Sequence, residues 1–179
     1  MSMEVTEEIL STFDTANIEN MIEYALGFST QKMGYAGQEQ VVEALQHGNC
    51  SVCEYMRYGL AQKIAEYLGS VDNTVKAVYI YEPEYATAVD GAMPDELSFS
   101  RGIHMIAWVG RKTAALLSLI DVLGSNLAQK FKQLGCPKAN ALCYQLVVHI
   151  VDDEEVLTRT GYGALVDSFY VRPIEIWRR

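Results

Sequence analysis

The sequence predicts an α+β fold in which N-terminal helices are followed by a four-stranded mixed sheet. Two observations predict it. Apolar residues recur at helical spacing through the first third of the chain, and near residue 74 the spacing changes to that of strands. The elements of the sheet part follow in the order β-β-α-β-β, and the α is one long amphipathic helix, 113–134, that is expected to cover the sheet.

Length and composition predict a single domain over residues 1–179. The chain has 179 residues, of which 50% are hydrophobic and 21% charged. This is an ordinary globular composition, and the chain is long enough to bury one sizeable core. Within the domain we distinguish a helical part, 1–72, from a sheet part, 73–179.

Three helices are predicted in the helical part. The first has its apolar face over 18–26, and Gly27 is expected to end it. A shorter apolar stripe over 41–45 predicts the second helix. The third follows the two cysteines of "HGNCSVCEYMRYGLAQKIAEYLG", carries an apolar stripe over 56–68 and is closed by Gly69.

Two strands open the sheet part. The segments "VKAVYIYEP" (75–83) and "GIHMIAWVG" (102–110) are short, rich in β-branched and aromatic residues, and bounded by turn formers. Between them, residues 82–101 show no convincing pattern. Unstructured connections of that length are uncommon in compact domains, so this segment is either a functional lid or an element that the pattern does not reveal.

The helix 113–134 has the clearest pattern of all. Thr113 is expected to cap its start, and Gly135 to end it. The glycine inside it, Gly124, costs about 1 kcal/mol relative to alanine and indicates close packing. The segment "ALCYQLVVHIV" that follows is apolar on both faces and predicts a central strand. The last strand, "FYVRPIEIW", contains Pro173, which places it at a sheet edge.

Charge argues against two classes of partner. The formal net charge is -9, whereas nucleic-acid binding depends on lysines and arginines that neutralise phosphates. An anionic membrane would require a basic amphipathic segment, which the sequence lacks. Neither nucleic acid nor a membrane is therefore expected as a partner. With no apolar run of membrane-spanning length and no signal-peptide pattern in "MSMEVTEEIL", the sequence predicts a soluble, cytoplasmic protein.

The cysteine pair at the start of the third helix allows three interpretations. Because "SVCE" has the form of a capping box, Ser51 is expected to be the N-cap, with Cys53 in the first turn and Cys50 just outside the helix. The helix dipole there favours a reactive thiolate, which suits a thiol-redox pair. Alternatively the thiols only pack, since Cys53 lies in line with the apolar stripe at 56–68.

The third interpretation is a metal site. His47 precedes the pair in an H-x-x-C-x-x-C pattern, for which zinc is the possible cofactor. Structural zinc takes four ligands. Cys136 and Cys143 are the obvious candidates to complete the set, although they do not form a second C-x-x-C pair.

A second candidate site lies where strands end. "VGRKT" (109–113) is a strand-to-helix turn, and "DDEE" (152–155) follows the third strand. If these two strands run parallel through the helical crossover, both turns meet at one edge of the sheet, where open α/β sheets bind ligands. Arg111 and Lys112 are the candidates to bind an anion. Asp152 and Asp153 are the candidates to bind Mg²⁺, with the hydroxyl of Thr113 assisting. The alternative is that Asp152 only caps a short helix.

Nothing catalytic stands out, and whether the protein is an enzyme stays open. His104 and His149 lie in apolar strands without an activation motif, so they are expected to be packed, hydrogen-bonded residues. The tyrosines at 55, 58 and 67 and at 79, 81 and 85 are numerous enough to suggest an aromatic surface, and tyrosine is enriched at protein interfaces. The alternative for Tyr79 and Tyr81, which share a strand face with apolar residues, is core packing. The leading prediction is a non-catalytic interaction or regulatory module with a protein partner, self-associating as a homo-oligomer through its helical part or an edge strand. The alternatives are a metal or thiol-redox protein and a small ligand-binding enzyme.

Overall fold

The computed structural model describes residues 15–82, 102–135, 145–168 and 173–179. The helices within these ranges are α1 (Thr15–Met33), α2 (Gln38–Gln46), α3 (Cys50–Val71), α4 (Ala114–Gln133), α5 (Asp153–Thr158) and α6 (Gly163–Val166). The strands are β1 (Val75–Ile80), β2 (Ile103–Val109), β3 (Leu146–Val151) and β4 (Ile174–Arg178). The predicted α+β architecture is confirmed. Most of the segment 82–101 lies outside the described residues.

The four strands form one mixed sheet with the order β3-β2-β1-β4. β1 is antiparallel to both β2 and β4, whereas β2 and β3 run parallel and are connected through α4. The edge position predicted for the last strand is therefore confirmed for β4. β3, which was expected to be central, lies at the opposite edge among the described strands. It is apolar on both sides because both faces of the sheet are covered, and not because it has a neighbour on each side.

The two faces of the sheet carry separate cores. On the helix face, helices α1 to α4 pack against side chains such as Val78 and Met105. On the opposite face, the short helices α5 and α6 contribute Val156 and Leu165 to a smaller core around Ile106. We call this second side the short-helix face. Since successive strand residues point to opposite faces, both cores require apolar side chains along the same strands.

Two glycines of α3 allow close contacts, one with α1 and one with β4. A Cβ added at Gly59 would lie 2.9 Å from the Cα of Ala25 in α1, which is closer than real Cβ atoms approach backbone. A Cβ added at Gly69 would overlap the indole of Trp177 in β4. The sequence also indicated close packing at Gly124. Packing there is looser than at Gly59 and Gly69, because an added Cβ would lie 3.6 Å from the Cβ of Leu146, an ordinary contact distance.

Three predicted helix ends were wrong. α1 does not end at Gly27 but continues to Met33, and the left-handed residue that follows it is Gly34, with φ of 67°. Helix α3 begins at Cys50, because the side chain of Asn49, and not that of Ser51, accepts a hydrogen bond from the amide of Val52. In these two cases more than one residue of the right type was available. The third is the end of α3, which was expected at Gly69 but lies at Val71, with Asp72 as the C-cap.

The ends of α4 agree with the prediction. Thr113 is its N-cap, and Gly135 follows its end with φ of 74°. None of the helices in the described ranges is both long enough and apolar enough to span a membrane.

Candidate interaction surface

The residues of the predicted strand-end site are brought to one edge of the sheet. Because β2 and β3 are parallel, the turn after β2 and the start of α5 are neighbours, as the sequence predicted for parallel strands. The ammonium of Lys112 lies 2.7 Å from a carboxylate oxygen of Glu155. Asp153 accepts hydrogen bonds from the ammonium of Lys76, at 2.7 Å, and from the indole N–H of Trp108, at 2.8 Å. These two hydrogen bonds hold the pKa of Asp153 below its usual value.

Two other candidates at this edge cap helices. The hydroxyl of Thr113 accepts a hydrogen bond from the amide of Leu116 at the start of α4. Asp152 and Glu155 form a reciprocal capping box at the start of α5, with both hydrogen bonds at 3.0 Å. Arg111 is exposed beside them. The contacts tie α5 to the ends of the strands, and a ligand at this edge would have to displace them. Ligand binding here stays a prediction.

The cysteine helix places the members of its motif in different environments. His47 and Cys50 are exposed, whereas Cys53 is buried in the core of the helix face. The ring nitrogen Nδ1 of His47 lies 2.7 Å from the carbonyl oxygen of Glu43. Cys136 and Cys143 lie outside the described residues. In the part of the chain that the structure describes, no three or more His, Cys, Asp or Glu side chains are grouped to hold a metal ion. Zinc binding and redox chemistry stay predictions.

His104 and His149 belong to a ring cluster on the short-helix face. The ring of Tyr81 lies 5.6 Å from that of His104 and 5.9 Å from that of His149, measured between centroids. Tyr162 of the α6 start stacks on His149 at 3.5 Å. The two imidazoles are thus packed among tyrosine rings, with His104 buried. This arrangement positions α6 against the sheet.

An aromatic groove of about 420 Å³ lies on the other side of the molecule. It runs between α1, α3 and strand β4 and is lined by Phe28, Tyr55, Tyr58, Gln62, Glu175 and Ile176. Four of these six residues are aromatic or aliphatic. The lining comes from segments that are far apart in the sequence, and the sequence pattern identified only its two tyrosines.

Contacts behind the groove fix its aromatic wall. Phe28 packs edge-on against Tyr55 at 6.3 Å and stacks on Tyr24 at 6.4 Å, between ring centroids. The hydroxyl of Tyr24 donates to the side-chain oxygen of Gln62 at 2.9 Å, which connects α1 to α3. The ammonium of Lys63 lies 4.5 Å from the Tyr24 ring. These contacts connect the aromatic wall of the groove to both helices.

Strand β4 forms the floor of the groove and continues beyond it. Its register against β1 skips Ile176, which forms a bulge. Opposite residues of antiparallel strands share a face. Ile174 therefore lies on the helix face, since it is opposite Ile80, and its side chain is 53% exposed. Among the described strands, only β1 pairs with β4, and no described strand pairs with the outer side of β4, which we call the β4 edge.

The short-helix face of β4 carries an ion pair. Because of the bulge, Glu175 and Arg178 both lie on this face, and the Nε of Arg178 donates to the carboxylate of Glu175 at 3.0 Å. The guanidinium also donates to the hydroxyl of Tyr79 at 3.2 Å. The hydrogen bonds from Arg178 lower the pKa of Glu175, while burial raises the pKa of Tyr79. This pair lies on the short-helix face, whereas the guanidinium of Arg179, just after β4, lies 5.6 Å from the ring of Trp177.

Comparison with known proteins yields no relative for this chain. No protein-family model, no curated protein and no solved structure matches it. Any functional conclusion therefore depends on the geometry of the chain itself.

Proposed function

We propose that this protein is a non-catalytic interaction module that binds an extended segment of a partner protein along the β4 edge. The observation that carries the proposal is the aromatic groove, which lies directly beside an edge strand with an exposed isoleucine. The two features together offer hydrogen bonds for a partner's backbone and a pocket for its side chains. This is the arrangement by which sheets accept an additional strand.

The β4 edge supplies the affinity in this proposal. An edge strand presents N–H and C=O groups on its outer side, and an added strand pairs with them without regard to sequence. Natural edges are often protected by charged side chains, proline, bulges or covering segments. Here the ion pair of Glu175 and Arg178 occupies the short-helix face, whereas Ile174 is an exposed apolar side chain on the helix face.

The aromatic groove supplies the specificity. Alternate side chains of an added strand point to the helix face, where they reach Tyr55, Tyr58 and Ile176. Tyrosine and phenylalanine are enriched at protein interfaces. Because contacts with α1 restrict the aromatic wall, less side-chain freedom is lost on binding, which favours affinity. A partner segment with apolar residues at every second position fits this surface.

A peptide selection tests the proposal without a known partner. Random dodecapeptides displayed on phage are selected on the immobilised protein, and the enriched peptides are synthesised and titrated. We expect alternating apolar sequences that lose at least about tenfold in affinity against Ile174→Lys, since a charge at the edge opposes strand addition. Leu157→Lys is the matched control, because Leu157 on α5 is also an exposed apolar residue, at 84%, but lies away from the groove.

The control decides how the selection is read. Binding that survives in Leu157→Lys and is lost in Ile174→Lys supports the β4 edge. Enriched peptides that bind both variants equally well would refute the proposal, as would a selection without any specific enrichment.

A further inference from the structure

We infer that the strand accepted at the β4 edge is β4 of a second copy of this chain. The two copies would pair antiparallel around a two-fold axis perpendicular to the sheet, so that their sheets join into one. The inference rests on the proposed function and adds the identity of the partner to it. Two independent features of β4 support it, the placement of its charges and the placement of its apolar side chains.

The charges of β4 are complementary to themselves when the strand is reversed. Glu175 lies near the start of the strand, and Arg178, with Arg179 after it, lies at the end. Antiparallel pairing centred on Ile176 and Trp177 brings Glu175 of each copy beside Arg178 of the other, on the same face. Parallel pairing would instead put like charges opposite each other, which destabilises a sheet.

The symmetry also joins the apolar surfaces. A two-fold axis perpendicular to the sheet keeps the faces of both copies on the same sides. In this register Ile176 of each copy lies opposite Trp177 of the other on the helix face, and one aromatic groove lies on either side of them. An interface made by the same patch on both subunits is the commonest form of homodimer.

The net negative charge of the chain opposes self-association. With a formal charge of -9 on each copy, two acidic surfaces repel one another. The β4 edge offsets part of this repulsion, because Arg178 at the end of the strand and Arg179 after it outnumber Glu175 in this short segment. An antiparallel pair of β4 strands thus contributes attraction at the contact itself.

The decisive experiment mixes two charge variants. Sedimentation velocity is measured on the wild type, on Glu175→Lys and on Arg178→Glu, and then on an equimolar mixture in which one variant carries a fluorescent label. Each variant alone places like charges at both symmetric contacts, so we expect its dimer to dissociate at least about tenfold more readily than the wild type. In the mixture, the new lysine of one copy faces the new carboxylate of the other, and Glu175 of the second copy faces Arg178 of the first.

We therefore expect the mixture to form heterodimers while neither variant dimerises at the same concentration. An effect within each chain cannot explain this rescue, because mixing leaves the repulsion between positions 175 and 178 of the same chain unchanged. Circular dichroism of each variant verifies that it is folded, and Glu175→Gln, which removes one charge without reversing it, should weaken the dimer less than Glu175→Lys.

The outcomes separate this inference from the proposed function. A wild type that stays monomeric, but whose selected peptides distinguish Ile174→Lys from Leu157→Lys, would refute the second copy as partner and leave the interaction module intact. A dimer that dissociates equally readily in the wild type and in both charge variants would refute β4 pairing. So would an equimolar mixture that forms no heterodimers. Failure of both the peptide selection and the dimer measurement would overturn the proposed function as well.

Discussion

Replacing Leu60 by alanine is expected to lower the free energy of unfolding by about 2–5 kcal/mol. Leu60 lies in the middle of α3, has no exposed surface and belongs to the core of the helix face, between α1 and the sheet. Truncation removes its buried methyl groups and leaves a cavity. Because α1 and α3 are already in close contact at Gly59, they can move into this cavity only in part. Urea unfolding followed by far-ultraviolet circular dichroism measures the loss.

The matched control is Leu117→Ala. Leu117 lies in α4 with 52% of its surface exposed, so the same chemical change should alter the free energy of unfolding by no more than about 0.5 kcal/mol. Equal losses at the two positions would contradict the packing of α3 between α1 and the sheet.

Gly59→Ala should be the next most damaging change, with a loss of about 1–3 kcal/mol. In an exposed helix this substitution would stabilise by about 1 kcal/mol, because alanine is the better helix former. Here the new methyl group would lie 2.9 Å from the backbone of Ala25. Backbone cannot rotate away as a side chain can, so α1 and α3 must separate, and the contacts that hold the aromatic groove are strained. The same urea titration detects the loss.

Gly124→Ala provides the control for this second change. It is also an alanine introduced inside a helix, but the nearest atom to the new methyl group is 3.6 Å away. We expect its stability to be unchanged or raised by up to about 1 kcal/mol. If Gly59→Ala proved as stable as Gly124→Ala, the close crossing of α1 and α3 would be wrong.

Much of the fold could be predicted because periodicity reports burial. The main helices and the four strands follow from the spacing of apolar residues and from turn signals such as Gly135. Whether β2 and β3 run parallel did not follow from the pattern, because periodicity carries no information on strand direction. The position of a strand within the sheet follows less directly. β3 is apolar on both faces because α4 and the short helices cover them, and a covered edge strand has the same pattern as a central one.

Helix ends were less predictable where several residues could serve. Asn49 and Ser51 are both good N-caps. In the structure Asn49 is the N-cap, so Cys50 is the first residue of the helix. Gly27 and Gly34 are both possible ends for α1, but only Gly34 adopts the left-handed conformation that ends a helix. Such choices depend on what the rest of the chain packs against.

The candidate surface was only partly visible in the sequence. The tyrosines at 55 and 58 indicated an aromatic surface, and Pro173 indicated an edge strand. That the two meet was not predictable, since Phe28, Tyr58 and Ile176 are brought together only by tertiary packing. Nor does a sequence pattern reveal the bulge at Ile176 that places Glu175 and Arg178 on the same face.

Hydrogen–deuterium exchange over a dilution series tests the central claim most directly, because it compares the two edges of the same sheet. Exchange is followed by mass spectrometry in peptides covering β4 and β3, at protein concentrations on both sides of the dimer dissociation constant. Pairing of β4 with a second copy predicts amides in β4 that exchange more slowly as concentration rises, while those in β3 exchange at a constant rate. Exchange in β4 that is independent of concentration, or concentration-dependent protection in β3, would contradict it.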